Sequence, residues 1–153
     1  MEKLRDLLSK VTDEQKLKIL QQTRNRWAKT ALHVAADRDD AEMINTILSS
    51  LQSSDRIKLL MNGDNMKHTP LHTAASRQHT KLVKAILNSL TSDQQMQLLA
   101  EEDEDGETAV GIASGETADV LSEYKNSAKE TADPGEFILI HVMSILDWRS
   151  TVD

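Results

Sequence analysis

The sequence predicts an all-α solenoid, built from about three long repeats that stack side by side. Three observations support this fold class: a seven-residue motif recurs at a fixed spacing, apolar residues recur at helical spacing, and the 153 residues include only five glycines and two prolines. So few turn-forming residues disfavour an all-β architecture. A fixed period of this length indicates a repeat architecture.

The repeat is clearest in the segment TALHVAA at 30–36. It recurs as TPLHTAA at 69–75 and, in degraded form, as TAVGIAS at 108–114. The threonines that open the three segments are 39 residues apart. Each segment predicts a short inner helix whose Leu and two Ala share one face, and the small alanines allow neighbouring helices to approach closely.

Each motif belongs to a larger unit with two further helices. The segments 41–48 and 80–87 repeat an apolar stripe that predicts an outer helix. A short additional helix precedes each motif, starting near Val11, Leu51 and Leu90. A single unit cannot bury its apolar stripe alone, so we expect neighbouring units to stack.

Two of the additional helices begin with a capping box. In Thr12-x-x-Gln15 and Thr91-x-x-Gln94 the Thr hydroxyl accepts a hydrogen bond from a backbone N–H, and the Gln side chain reaches back to the Thr N–H. The middle copy has Gln52 in the Thr position and lacks this device.

The T-P-L-H-x-A pattern resembles the ankyrin-repeat family, and the middle copy matches that pattern at every position. The resemblance covers roughly residues 7–125 and implies an ankyrin-type α-solenoid. The ankyrin period is about 33 residues, so the surplus here lies in the additional helix. HEAT and armadillo solenoids have a nearer period but do not explain TxLHxAA.

The family's hairpins usually carry a glycine two residues before the Thr of the motif. Here that glycine survives only as Gly106, and Ala28 and Lys67 replace it in the first two repeats. We therefore expect the first two hairpins to deviate from the family geometry or to carry backbone strain.

The resemblance implies a module that binds another protein through its hairpin tips and the concave inner-helix face. Transferred position by position, the tips are residues 24–29, 65–68 and 104–107. The candidate partner-binding residues are Arg24, Arg26, Trp27, Lys29, Val34, Arg38, Asn65, Lys67, His68, Thr73, Arg77, Glu104, Asp105 and Glu107.

The tips differ in charge. Residues 24–29 carry three cationic side chains, whereas residues 101–107 carry six carboxylates. A partner with the reverse polarity would be steered into one register, although solubility alone could also explain the pattern. Trp27 beside arginines has the composition of an interface hot spot. We favour the alternative that Trp27 folds back onto the N-terminal helix around Leu7 and Leu8.

Two features suggest metal binding at first sight. Glu101, Asp103 and Asp105 match positions 1, 3 and 5 of a calcium loop, but position 12 is Ile112 instead of the required Glu. For the repeat-equivalent histidines at 33 and 72, the resemblance implies a structural role, with rings that hydrogen-bond within and between repeats. We predict no metal site and no cofactor.

Catalysis and membrane insertion find no support. The chain has no cysteine, no Gly-rich phosphate loop and no G-x-S-x-G motif, so we predict no catalytic residues. A net charge of −7 argues against general nucleic-acid binding. The N-terminus lacks the apolar core of a signal peptide, and the longest apolar run, 137–146, is too short to span a bilayer. We expect a cytoplasmic, monomeric protein.

The chain divides into a repeat array at 1–125, a linker at 126–136 and a C-terminal segment at 137–153, for which a capping helix or the start of a further element is predicted. The function predicted is non-covalent recognition of a protein partner. Two alternatives remain open. The chain could be a fragment of a larger receptor, channel or signalling protein in which the array is a tether, or a structural spacer without a dedicated partner.

Overall fold

A computed structural model describes residues 1–22 and 24–131, and these residues form ten α-helices without a β-strand. The helices are α1 (Glu2–Ser9), α2 (Asp13–Gln22), α3 (Ala31–Asp37), α4 (Ala41–Ser49), α5 (Ser53–Leu60), α6 (Pro70–Ser76), α7 (Thr80–Asn88), α8 (Ser92–Ala100), α9 (Ala109–Ile112) and α10 (Gly115–Thr131). None of them is long and apolar enough to cross a membrane.

The helices stack in three columns. The inner column contains α3, α6 and α9, the outer column contains α4, α7 and α10, and the additional helices α2, α5 and α8 form the third. Each helix packs against its equivalent in the neighbouring repeat, and inner and outer helices of one repeat pack together. This arrangement confirms the predicted all-α solenoid of three repeats, each with an additional helix.

The core repeats with the sequence. Each of the first two inner helices buries one Leu and two Ala completely, and the first two outer helices bury three and four aliphatic side chains almost completely. These residues are Leu32, Ala35, Ala36, Leu71, Ala74 and Ala75 in the inner column, and Ile44, Ile47, Leu48, Leu82, Val83, Ile86 and Leu87 in the outer column. Stacking therefore buries the stripe that one repeat alone would expose.

Two of the three helices in the third column begin with a capping box. Gln15 N–H donates to Thr12 Oγ1 at 3.3 Å and Thr12 N–H donates to Gln15 Oε1 at 3.0 Å. The same pair of bonds forms between Thr91 and Gln94, so both predicted boxes are confirmed. Gln52 forms no cap, and its side-chain amide instead donates to Asp13 Oδ2 in the preceding repeat at 3.1 Å.

Helix α10 extends beyond the predicted end of the array. Residues 126–131, which the sequence analysis assigned to a linker, continue the helix to Thr131. Ala, Lys and Glu in this stretch are good helix formers. The helix also packs against α8, and Ala128 is buried. The extension therefore covers the last additional helix; the remainder of the predicted linker and the segment 137–153 lie outside the described residues.

Candidate partner-binding surface

The three hairpin tips share one hydrogen-bonded turn. In each tip an Asn or Asp Oδ1 accepts the backbone N–H groups two and four residues later, over distances of 2.9–3.1 Å. These residues are Asn25, Asp64 and Asp103. This role was not predicted for them, although their 39-residue spacing and the preference of Asn and Asp for such turns would have identified it.

The tips keep their shape where glycine is missing. Ala28 and Lys67 adopt left-handed backbone conformations with φ of 58° and 60°, close to the 80° of Gly106. The first two hairpins therefore retain the geometry of the third and carry backbone strain, which was one of the two expected outcomes.

Backbone hydrogen bonds join each tip to the next. Asn65 N–H donates to Trp27 O at 3.1 Å, and Glu104 N–H donates to Met66 O at 3.0 Å. Because both bonds connect equivalent positions, the tips form a continuous row along one edge of the solenoid.

The two repeat-equivalent histidines attach the inner helices to this row. His33 Nδ1 accepts Thr30 N–H at 3.1 Å, so the ring proton lies on Nε2, which donates to His68 O at 2.7 Å. His72 makes the equivalent bonds to Thr69 and to Glu107 O. Burial is the main cause that lowers the pKa of both rings below the ordinary value. The structural role expected for these histidines is confirmed.

A sequence model of ankyrin repeats, spanning three copies, matches residues 49–133, more than half of the chain. The chain belongs to the ankyrin-repeat family. A comparison with curated proteins finds no match. Ankyrin repeats generally act as protein–protein interaction modules and are typically non-enzymatic. The match begins before the second repeat and extends past residue 125, whereas the first repeat is placed in the ankyrin array by the stacking of α2–α4 on α5–α7.

A groove of about 540 Å³ lies between the first two ankyrin tips and α3. Six of the fourteen candidate residues line it: Trp27, Lys29, Val34, Arg38, Asn65 and His68. Met66, which the sequence analysis placed in the second tip but not among the candidates, also lines this groove. The structure thus brings together residues from two ankyrin repeats.

Trp27 does not form an N-terminal cap. Its side chain is 50% exposed, it lines the groove, and the Arg26 guanidinium lies 3.9 Å from its ring centroid. Leu7, one of the partners expected for Trp27, is itself 63% exposed. The favoured interpretation of Trp27 was therefore wrong, because the inter-tip bond at Trp27 O holds its backbone in the row of tips.

Thr73 is a second candidate residue for which the predicted exposure was wrong. The sequence analysis placed it on the exposed side of the inner helix, but only 7% of the residue is accessible. Helix α6 packs between α3 and α9, so its middle is covered from both sides. Its hydroxyl donates one turn back to Thr69 O at 3.4 Å. Thr73 consequently offers little surface to a partner.

Three of the six candidate lysines and arginines are held by polar contacts within the chain. Lys29 Nζ lies 2.7 Å from Asp37 Oδ2, and Arg77 lies 3.1 Å from Asp37 Oδ1. Partial burial opposes ionisation of Asp37, but the two cations outweigh it and lower its pKa. Arg24 donates to Asn62 Oδ1 at 2.6 Å. The bonds of Arg77 and Arg24 join the first repeat to the second, and Asp37 neutralises part of the positive charge of Lys29 and Arg77.

The carboxylates of the third, acidic tip (residues 104–107) differ from these cations in their contacts. Glu104, Asp105 and Glu107 are exposed, and none of them forms an ion pair with another residue in the described part of the chain. Asp103 is buried, and the backbone N–H of Glu107 is the main cause that lowers its pKa. Its Oδ2 lies 3.3 Å from His68 Nε2. Residues 1–22 and 24–131 contain no group of three or more side chains arranged to hold a metal ion.

Proposed function

We propose that this ankyrin array recognises a protein partner through its row of tips and the adjoining inner-helix face, centred on the groove between the first two tips. One observation carries the proposal. Trp27 and Met66, at equivalent positions of neighbouring repeats, are 50% and 49% exposed and line the same groove. Paired, half-exposed, large apolar side chains are typical of binding sites. Trp is also enriched among interface hot spots.

The hydrogen bonds around the groove support this proposal. Asn25 and Asp64 hold the two tips, and the bond from Asn65 to Trp27 joins them. Binding to such a held surface orders few additional groups, which reduces the entropic cost of association. The exposed apolar pair is therefore presented in a fixed geometry.

The test is capture of partners from a cell lysate with three chains: wild type, Trp27→Ala/Met66→Ala, and the control Leu7→Ala/Ile19→Ala. The control removes two equally exposed apolar side chains from helices α1 and α2. We expect one or more proteins to bind the wild type and the control but not the groove variant. Circular dichroism would verify that all three chains fold.

The opposite outcome is also informative. If the same proteins bind all three chains, the groove is not the recognition surface. If no protein binds any of them, the alternative that the array is a structural tether within a larger assembly becomes the better explanation.

A further inference from the structure

The charge of the tips changes from repeat to repeat at equivalent positions. In three rows of equivalent residues, the first repeat carries a cation, the second a neutral residue or His, and the third a carboxylate. The rows are Arg24–Gly63–Glu102, Arg26–Asn65–Glu104 and Lys29–His68–Glu107. Since the bonded tips form one row, this pattern is a charge gradient along the edge of the solenoid.

The two ends of the gradient are not equally available to a partner. Lys29 is paired with Asp37, Arg24 is bonded to Asn62, and Arg26 lies over the Trp27 ring. By contrast, Glu104 and Glu107 are exposed and have no ion pair with the described residues. Of the three cations only Lys29 faces a carboxylate; Arg24 and Arg26 keep their charge but are held by Asn62 and Trp27. The negative charge of the edge is concentrated at the third tip, where Glu104 and Glu107 are free to meet a partner's cations.

The apolar groove and the acidic tip lie on the same row. The equivalent positions Trp27, Met66 and Asp105 place two apolar side chains at the groove and one carboxylate one repeat further on. Packed helices are about 8–10 Å apart, and an extended chain advances about 3.3 Å per residue. From Met66 at the edge of the groove, an extended peptide would therefore reach the acidic tip in about three residues.

We propose that the occupant of this surface is an extended segment of a partner protein, with an apolar side chain in the groove and Lys or Arg side chains about three residues further along, at the third tip. This inference rests on the proposed function and specifies the partner's chemistry. Complementary charge would fix the direction of the segment and raise its association rate, and salt would weaken both effects.

The experiment uses fluorescein-labelled synthetic peptides and fluorescence anisotropy. The first peptide has one Leu followed three residues later by three consecutive Lys, in an otherwise Gly/Ser sequence; the second replaces Lys by Glu, and the third replaces Leu by Ser. We expect the Leu–Lys peptide to bind about ten-fold more tightly than the Leu–Glu peptide at low salt. Replacing Leu by Ser, or Trp27→Ala in the protein, should weaken binding about five-fold.

Two protein variants separate local charge from net charge. Glu104→Lys/Glu107→Lys reverses two carboxylates of the third tip, and Glu123→Lys/Glu130→Lys makes the same change on exposed positions of α10. The preference for the Leu–Lys peptide should disappear only in the tip variant. Equal binding of the charged peptides by the wild type, or equal loss of preference in both variants, would overturn the inference.

Failure of this inference is distinguishable from failure of the proposed function. If lysate partners are lost with Trp27→Ala/Met66→Ala but retained with Glu104→Lys/Glu107→Lys, the groove recognises a protein and the charge gradient does not select it. The proposed function would then stand, and the basic partner segment would be excluded.

Discussion

At the scale of single residues, the tips show how local hydrogen bonds override backbone preference. A non-glycine residue at positive φ costs free energy because its Cβ approaches the carbonyl oxygen. Ala28 and Lys67 nevertheless adopt this conformation, as Gly106 does. In each tip the Asx side chain and the bond from the left-handed residue's N–H to the Asx carbonyl hold the turn. The tip geometry is therefore set by Asn25, Asp64 and Asp103 more than by glycine.

Lys67→Gly should stabilise the protein, because it removes this strain while the native turn keeps its bonds. We expect the free energy of unfolding to rise by up to about 1 kcal/mol. The reciprocal control is Gly106→Ala, which places Cβ in open space at φ of 80° and should destabilise through the backbone alone. Urea denaturation measures both; a decrease for Lys67→Gly would show that the turn has no strain to release.

Thr46 allows a second test at this scale. Its Oγ1 is buried and has no hydrogen-bond partner among the described residues. Thr46→Val removes a buried polar group with little change in shape, so we expect stability to rise by about 1 kcal/mol. Thr69→Val is the matched control. The Thr69 hydroxyl forms hydrogen bonds with His72, so its removal should lower the free energy of unfolding. Loss of stability in Thr46→Val would mean that water satisfies the hydroxyl.

The histidine bonds predict a pH dependence. In the unfolded chain His33 and His72 should titrate near the ordinary pKa of about 6.5, whereas burial lowers their pKa in the folded protein. Below pH 6.5 the unfolded state therefore binds more protons, and stability is lost as the pH falls toward the folded pKa values.

Urea denaturation at pH 7.5, 6.5 and 5.5 measures this loss. A His33→Gln/His72→Gln variant should be less stable at pH 7.5 and should lose less stability on acidification. The lowered pKa values of Asp37 and Asp103 affect the same measurement only at lower pH, near and below the ordinary Asp value. An identical pH slope in wild type and variant would contradict the role assigned to the histidines.

At the scale of elements, the additional helix explains the unusually long repeat. From α5, Arg56 Nε donates to Leu48 O at the end of α4 at 2.7 Å; from α8, Gln95 Nε2 donates to Leu87 O at the end of α7 at 2.8 Å. The donors are repeat-equivalent, and so are the acceptors. The Arg56 and Gln95 side chains thus add a second donor to a carbonyl in the last turn of the preceding outer helix, where Leu51 N–H and Leu90 N–H also donate.

Removing this cap should be costly. Arg56 also bonds Leu51 O and Ser89 O, so Arg56→Ala removes a side-chain donor from three carbonyls, of which Leu48 O keeps the Leu51 N–H. We expect a loss of about 2 kcal/mol in the free energy of unfolding. Lys58→Ala on the same helix removes only an exposed ion pair with Asp55 and should change stability by less than about 0.5 kcal/mol. Equal effects would contradict a capping role for Arg56.

The sequence was sufficient for features that one repeat determines by itself. The motif, the capping boxes and the histidines are local patterns, and their geometry follows from them. Exposure was harder to predict because it depends on neighbours. Thr73 is buried by helices of two other repeats, and Trp27 is held in the row by a bond from Asn65. The end of α10 was missed because the burial of Ala128 depends on packing of α10 against neighbouring helices, which the local sequence does not show.

At the scale of the whole molecule, the repeats differ in what they present. The first two supply the apolar groove, and the third supplies the exposed carboxylates of Glu104, Asp105 and Glu107, which form no ion pair within residues 1–22 and 24–131. The fold tolerates these differences because the tip side chains at the variable positions do not enter the core. A family that shares one scaffold can therefore differ in partner through a few exposed residues, and fold alone does not identify the partner.

The side-chain hydrogen bonds between repeats all join residues with nearly the same separation in the sequence. Side-chain hydrogen bonds that join different repeats in the described residues connect positions 33 to 43 apart, which is about one repeat. None of them skips a neighbour, so tension applied at the two ends passes through each junction in turn. The third inner helix has Gly111 where the first two have His. Under mechanical force the repeats should therefore unfold one after another and not all together.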